Sequence, residues 1–223
     1  MCSSDLWTEH TGVYGTYKNY VSNWSVRDTY PIVSDSADNF SGYIVYRKGA
    51  WVLHMLRRVV GDTAFFLGLR SYFHDPRFLY GTALSEDFQK VMEAASGMDL
   101  QTFFQQWLYR ASRPRYSWSW STHAQGGNNM LNLYITQTQT GDVFDMPVDF
   151  HVGLAGGGTR IITVRNTISP QEFHIDLGAS QPTSVAFDPD NWILKLSQTQ
   201  VSPPAIPVEV ATSTPTPTPA PSF

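Results

Sequence analysis

The sequence predicts an α+β protein in which a helical unit is followed by an antiparallel β-sandwich. Two changes of pattern along the chain indicate this. Residues 6–112 carry apolar side chains three and four positions apart, which is the spacing of amphipathic helices. Residues 113–197 instead alternate apolar and polar side chains in about seven short runs with turns between them, as sandwiches do. Residues 198–223 are rich in Pro and Thr, which favours an extended linker.

The helical unit is divided by residues that commonly begin or end helices. An amphipathic segment over residues 6–21 precedes a polar loop, and one apolar helix is then expected over residues 42–60. Ser and Asp side chains accept hydrogen bonds at helix starts, whereas Gly adopts the left-handed conformation at helix ends. We therefore expect helix boundaries at Gly61, Asp62, Ser85, Gly97 and Asp99.

The strand unit alternates with a period of two from its start. Trp118 and Trp120 are separated by serines, and we expect these tryptophans to build core. Residues 144–154 keep the same alternation up to the glycine-rich turn at residues 155–159. Each strand is thus expected to bury one face and to expose the other.

Composition excludes several classes of protein. A net charge of −4 without a basic stripe argues against nucleic-acid binding. No apolar run reaches the roughly 18 residues that a transmembrane segment needs. A single cysteine supports neither an internal disulfide framework nor a cysteine-rich metal site.

The two ends of the chain suggest a piece of a longer, exported protein. Residues 1–5 lack the features of a signal peptide, and a sequencing adapter can encode "CSSDL", so we interpret them as a non-native leader. Helical sequence then starts abruptly at residue 6. Pro/Thr linkers usually tether a secreted enzyme to another module or to a surface, so we expect an extracellular or cell-surface location.

Tyr46 and Gly49 form an unusual pair near the start of the apolar helix. Gly inside a helix costs about 0.5–1 kcal/mol relative to Ala. Residues three apart share a helical face, so the missing side chain leaves room beside the phenol of Tyr46. Either another backbone packs into this space or a ligand reaches the hydroxyl.

The order of motifs around Tyr46 resembles one known family. "VYRKG" is followed by a Gly-Asp pair, by "FFLGLRSYF" and by "SEDFQKVMEAASGMDLQTFFQQWL". The strand unit then closes with "VAFDPDNWILKL". This series resembles the C-terminal part of the catalytic domain of M1-family zinc aminopeptidases and the β-sandwich that follows it, over roughly residues 6–197.

The resemblance implies a fold, an activity and a cofactor. The helical unit would be the second half of a thermolysin-like catalytic domain, and the whole protein would remove N-terminal residues from peptide substrates with zinc. In that family an H-E-x-x-H helix and a later glutamate bind the zinc, and this sequence has no such helix. We therefore expect the ligands upstream of residue 6. No metal ligand or substrate-binding residue is assigned here, and the chain alone is expected to be metal-free and inactive.

Tyr46 matches the catalytic tyrosine of that family. Attack of zinc-bound hydroxide on a peptide carbonyl would build negative charge on the carbonyl oxygen. A phenol, with an ordinary pKa near 10, stays neutral at working pH and donates a hydrogen bond to such an oxyanion. Gly49 would then provide clearance on the same face.

Two alternatives concern the function and the basic residues beside Tyr46. The protein could instead be a non-catalytic relative, a helical scaffold plus β-sandwich that binds peptides or glycans without hydrolysing them. Arg47 and Lys48 are expected to be solvated or paired and to orient the helix. His54, on an apolar helix, is expected to be a core histidine.

The other histidines give weak metal motifs. Glu9 and His10 have no second histidine four residues on, which argues against a metal site there. His151 and His174 fall on polar strand faces and are candidates for neighbours, but two exposed histidines rarely bind a metal.

Overall fold

The structure, a computed structural model, describes residues 30–34, 42–79 and 81–204. The predicted leader, the segment over residues 6–21 and most of the predicted linker lie outside the described residues. In the described part, a π-helix over Gly42–Lys48 leads into four α-helices. These are α1 (Gly49–Val60), α2 (Asp62–His74), α3 (Ser85–Ser96) and α4 (Gln101–Leu108).

The helices bury the apolar faces that their spacing predicts. In α1 the buried side chains include Trp51 and Met55, which lie about one turn apart, and Val52 and Leu56, which do so as well. Gly68 of α2 lies against α3, where an added Cβ atom would be 2.4 Å from Sδ of Met92. The absence of a side chain at Gly68 therefore lets α2 and α3 approach closely.

Most of the predicted helix boundaries are confirmed. Gly61 ends α1 with a positive φ of 80°, and Gly97 ends α3 in the left-handed conformation. Oδ1 of Asp99 accepts a hydrogen bond from the Gln101 amide at 2.9 Å, although the N-cap position of α4 is occupied by Leu100. Asp62 is different, because its carboxylate makes no cap bond and instead pairs with Arg57.

Seven strands follow in the described residues. They are β1 (Arg115–Gln125), β2 (Asn128–Gln137), β3 (Met146–Leu154), β4 (Thr159–Asn166), β5 (Gln171–Asp176), β6 (Pro182–Phe187) and β7 (Ser197–Gln200). One sheet has the order β5-β2-β1-β7, and the other has the order β4-β3-β6. β7 extends to Gln200, whereas the sequence predicts that the strand unit ends at residue 197.

The pairing is antiparallel at every interface between these strands except one. β7 runs parallel to β1, with Arg115 opposite Ser197 and Trp118 opposite Gln200. The prediction of purely antiparallel sheets is wrong at this pair. The reason is topological, since β7 returns from the other sheet by a long connection rather than by a hairpin.

Aromatic side chains join the two sheets. Trp118 of β1 contacts Phe150 of β3 and Phe187 of β6, with ring centroids 5.7 Å and 5.8 Å apart. Tyr116 lies 4.9 Å from Phe187 by the same measure. The core role expected for Trp118 is confirmed, because this side chain is buried. Burial also raises the pKa of the Tyr116 phenol.

The helices and sheets share one core, and polar contacts tie them together. The Gln106 amide of α4 exchanges two hydrogen bonds of 2.8 Å with the backbone of Asp145. Arg58 of α1 binds the Asp149 carboxylate of β3 through Nε at 2.9 Å and Nη2 at 2.6 Å. Thr163 of β4 donates a further hydrogen bond to Asp149. This bidentate pair therefore fixes α1 against the second sheet.

Candidate functional site

The predicted helix over residues 42–60 is not α-helical throughout. Its first seven residues, Gly42–Lys48, are π-helical, and the α-helix begins only at Gly49. π-helical turns are rare and occur frequently at functional sites. Tyr46 lies in this turn and is 75% exposed. Sequence periodicity alone could not separate the two kinds of turn, because both bury one apolar face.

Gly49 leaves open space next to this turn. A Cβ atom added at Gly49 would meet no atom within 4 Å among the described residues. Of the two explanations that the sequence offers, close packing of another backbone is thus not seen in this part of the chain. The geometry agrees instead with clearance beside the phenol.

Tyr46 and Gly49 line a cleft of about 570 Å³, which we call the Tyr46 cleft. Its walls come from the π-helix, α1, α2, α3 and α4, and they are mostly apolar, including Leu53, Leu84 and Phe88. Such a cleft can hold an apolar group while the Tyr46 hydroxyl supplies a hydrogen-bond donor at its edge.

Lys48 has a hydrogen-bond partner, which is one of the two environments expected for it, solvated or paired. Its side chain is 1% exposed, and Nζ donates a hydrogen bond of 3.0 Å to the main-chain oxygen of Arg110. Its nearly complete burial was not predicted, because lysine is almost never fully buried unless it is paired. The one available signal was its place in an otherwise apolar helix.

His54 is a core histidine, as expected. It is 3% exposed and stacks on Trp192 with ring centroids 4.5 Å apart. Trp51 packs edge-on against His54, with the two ring centroids 5.5 Å apart. These contacts connect α1 to the segment after β6.

The structure does not bring the two strand histidines together. His151 lies on β3 beside Asp190, whereas His174 lies on β5 in the other sheet and contacts Asn132. The suggestion that they are neighbours is therefore wrong. Glu9 and His10 lie outside the described residues. Within the described ranges, no group of three His, Cys, Asp or Glu side chains could hold a metal ion.

Residues 9–107 match the model of the peptidase family M1 domain. The matched range contains the π-helix with Tyr46 and ends in α4, just before that helix ends. It leaves out both sheets. The match thus covers every residue that lines the Tyr46 cleft except Leu108.

Curated aminopeptidases are similar to part of the chain. Aminopeptidase N of Streptomyces lividans is 37% identical over 107 residues, which is 43% of this chain and 12% of that protein. Aminopeptidase N of Lactococcus lactis subsp. lactis is 39% identical over 75 residues, covering 34% of this chain and 9% of the relative. Mitochondrial aminopeptidase 2 of Saccharomyces cerevisiae is 29% identical over 114 residues, covering 49% and 12%. The chain therefore spans only about a tenth of the length of these relatives.

A solved structure extends the likeness to the sheets. The chain is similar to Legionella pneumophila aminopeptidase A, solved in complex with aspartic acid, with a TM-score of 0.61 and 16% identity. This match covers 82% of the chain and 21% of the larger protein. At this identity the likeness supports a shared fold. In the described residues, no helix is long and apolar enough to cross a membrane.

Proposed function

Because residues 9–107 match the model of the peptidase family M1 domain, we propose that the protein is a member of this family and acts as a metallo-aminopeptidase. It would remove N-terminal residues from peptides. The observation that carries the proposal is the exposed Tyr46 on a π-helical turn at the edge of an apolar cleft, within the matched range. The aminopeptidase names of the relatives support the same activity.

Tyr46 would act as a hydrogen-bond donor to the oxygen of the scissile carbonyl. The charge on this oxygen grows in the transition state, so a fixed donor stabilises the transition state more than the ground state. The open space at Gly49 lets a substrate backbone approach the hydroxyl. The apolar walls of the Tyr46 cleft would hold an apolar part of the peptide.

Zinc is the metal that this family implies, but the described residues do not fit it. A catalytic zinc needs three protein ligands, and no group of three suitable side chains occurs in the described part. We propose that the ligands belong to a part of the protein that precedes this sequence. By this proposal the chain alone binds no catalytic zinc and has no activity.

The sheets would buttress the catalytic unit. We propose that the two sheets form the β-sandwich of such a peptidase and that the helices are the second half of a thermolysin-like domain. The Pro/Thr segment after residue 204 would tether the enzyme to a surface or to a further module outside the cell.

The test is a Tyr46→Phe variant of the full-length protein. The substitution removes one hydroxyl and keeps the ring, so folding and zinc content should not change. We expect kcat on an aminoacyl p-nitroanilide to fall about 10²–10³-fold, with little change in KM. Tyr134→Phe, on β2, is the matched control and should retain activity.

Two results would contradict this proposal. A Tyr46→Phe enzyme with normal kcat would mean that Tyr46 is only a surface aromatic. A full-length protein that binds peptides or glycans but shows no zinc and no hydrolysis would instead support a non-catalytic relative.

A further inference from the structure

Lys48 is a buried cation in the same turn that carries the most exposed tyrosine described. Lys48 is 1% exposed, whereas Tyr46, two residues earlier, is 75% exposed. Residues two apart on a helix do not share a face, so the two side chains point in opposite directions. Ile44 is buried as well and lies on the inner face with Lys48.

Burial of an ammonium group is costly, so its partners must be well placed. Removing such a charge from water costs several kcal/mol unless it is paired and hydrogen-bonded. Nζ of Lys48 donates to the main-chain oxygen of Arg110, 3.0 Å away. This oxygen lies directly after the C-terminal end of α4, where the helix dipole favours a cation. A buried cation is weak support for stability as such, which points to a different role.

The contact lies at the junction between the two kinds of helix. The π-helix ends at Lys48 and α1 begins at Gly49. A side chain fixed at this junction sets the rotation of the turn that precedes it. Gln106 binds the backbone of Asp145, directly before β3, and so fixes α4 against the core. The Lys48 contact therefore fixes the turn that carries Tyr46 relative to the core.

We propose that Lys48 is a positioning residue for Tyr46: its buried ammonium, bound to the Arg110 carbonyl, holds the π-helical turn so that the Tyr46 hydroxyl faces the cleft. The inference rests on the proposed function. It adds a residue that acts on the reaction only through Tyr46 and touches no substrate.

A double-mutant cycle in the full-length enzyme tests this. The four proteins are the wild type, Tyr46→Phe, Lys48→Met and the double variant. Displacement of a catalytic donor by about 1 Å can cost up to about 10²-fold in rate, so Lys48→Met should lower kcat about 10- to 100-fold with little change in KM. In the Tyr46→Phe background the same substitution should cause no further loss, because the hydroxyl that Lys48 positions is absent.

Controls separate positioning from stability. Lys195→Met removes another largely buried lysine, which pairs with Asp188; neither residue lines the Tyr46 cleft. It should lower thermal stability yet leave kcat per folded molecule unchanged. If Lys48→Met yields no folded enzyme, the cycle is run with Lys48→Gln, which removes the charge and shortens the side chain but remains polar; the same loss of kcat is expected.

The outcomes distinguish the two proposals. If Tyr46→Phe lowers kcat strongly and Lys48→Met lowers it by the same factor in both backgrounds, the positioning role is overturned and the proposed function stays intact. A Lys48→Met enzyme with normal kcat would do the same. Normal kcat in Tyr46→Phe would overturn the proposed function, and the Lys48 inference with it.

Discussion

Gly49 combines an unfavourable helical residue with open space beside Tyr46. Because an added Cβ would meet no atom within 4 Å in the described part of the chain, Gly49→Ala should fit without strain. Ala loses less conformational freedom on folding, so we expect the free energy of unfolding to rise by about 0.5–1 kcal/mol. Urea titration of the purified chain measures this change.

A larger side chain at Gly49 should act on turnover instead. Gly49→Leu would fill part of the Tyr46 cleft, so the full-length enzyme should lose activity while Gly49→Ala stays close to the wild type. Equal activity of the two variants would mean that the space beside Tyr46 is not used by the substrate.

At the scale of single residues, the sequence predicted some environments well and others poorly. The burial of His54 followed from its place in an apolar pattern, and the space at Gly49 followed from its unfavourable residue type. The burial of Lys48 could not be predicted, because its carbonyl partner at Arg110 is distant in sequence. A partner supplied by tertiary structure leaves no local pattern.

At the scale of elements, the N-cap position before α3 holds a residue that cannot cap the helix. Leu84 occupies the N-cap position with extended backbone angles, is 64% exposed and cannot accept a hydrogen bond. Asp87 already binds the Leu84 amide, which is half of a capping box. Leu84→Ser should supply the other half and raise the free energy of unfolding by about 1 kcal/mol.

The Leu84→Ser prediction has a direct control. Leu84→Ala removes the same apolar surface without providing an acceptor, so it should not stabilise the chain. If the Ser and Ala variants unfold at the same urea concentration, the cap contributes nothing. Amide hydrogen exchange in the first turn of α3 would report the same difference locally.

Element types were easier to predict than their details. Alternation indicated the strands and capping residues indicated the helices, because both depend on local chemistry. The π-helical turn and the parallel β1–β7 pair were not predicted. Neighbours across a sheet and the hydrogen-bond step of a helix depend on tertiary packing, which periodicity does not record.

At the scale of the whole molecule, the Arg58–Asp149 pair is the clearest polar link between the helices and the second sheet. Asp149→Asn should lower the free energy of unfolding by about 3 kcal/mol. This value is the lower end of the range for buried ion pairs, because the Arg58 side chain is 28% exposed. The Asp62 side chain is 65% exposed in its pair with Arg57. Solvent screens that pair, so Asp62→Asn should cost about 0–1 kcal/mol. Denaturant unfolding compares the two, and equal costs would contradict the link.

The Asp149 carboxylate should also make the free energy of unfolding depend on pH. Burial raises the pKa of Asp149, but hydrogen bonds from Arg58 and Thr163 outweigh this and hold the pKa below its ordinary value. The unfolded chain thus binds a proton at higher pH than the folded one. This contribution to stability is complete above the ordinary carboxyl pKa of about 3.9 and is lost as pH falls below it.

Urea unfolding between pH 3 and pH 7 checks this direction. The difference in stability between the wild type and Asp149→Asn should shrink at the acid end. A difference that is constant over this range would mean that Asp149 has the same pKa in the folded and unfolded chains.

The parallel pairing of β7 with β1 has a mechanical consequence. The two strands run in the same direction, so the start of β1 and the end of β7 lie at opposite ends of their shared ladder. Tension between the helices and residue 204 would pull these strands in opposite directions. The force would then act at the same time on all residue pairs from Arg115–Ser197 to Trp118–Gln200. An antiparallel hairpin pulled at its two ends would open one pair at a time. The sheets are therefore arranged to carry force along the chain in shear.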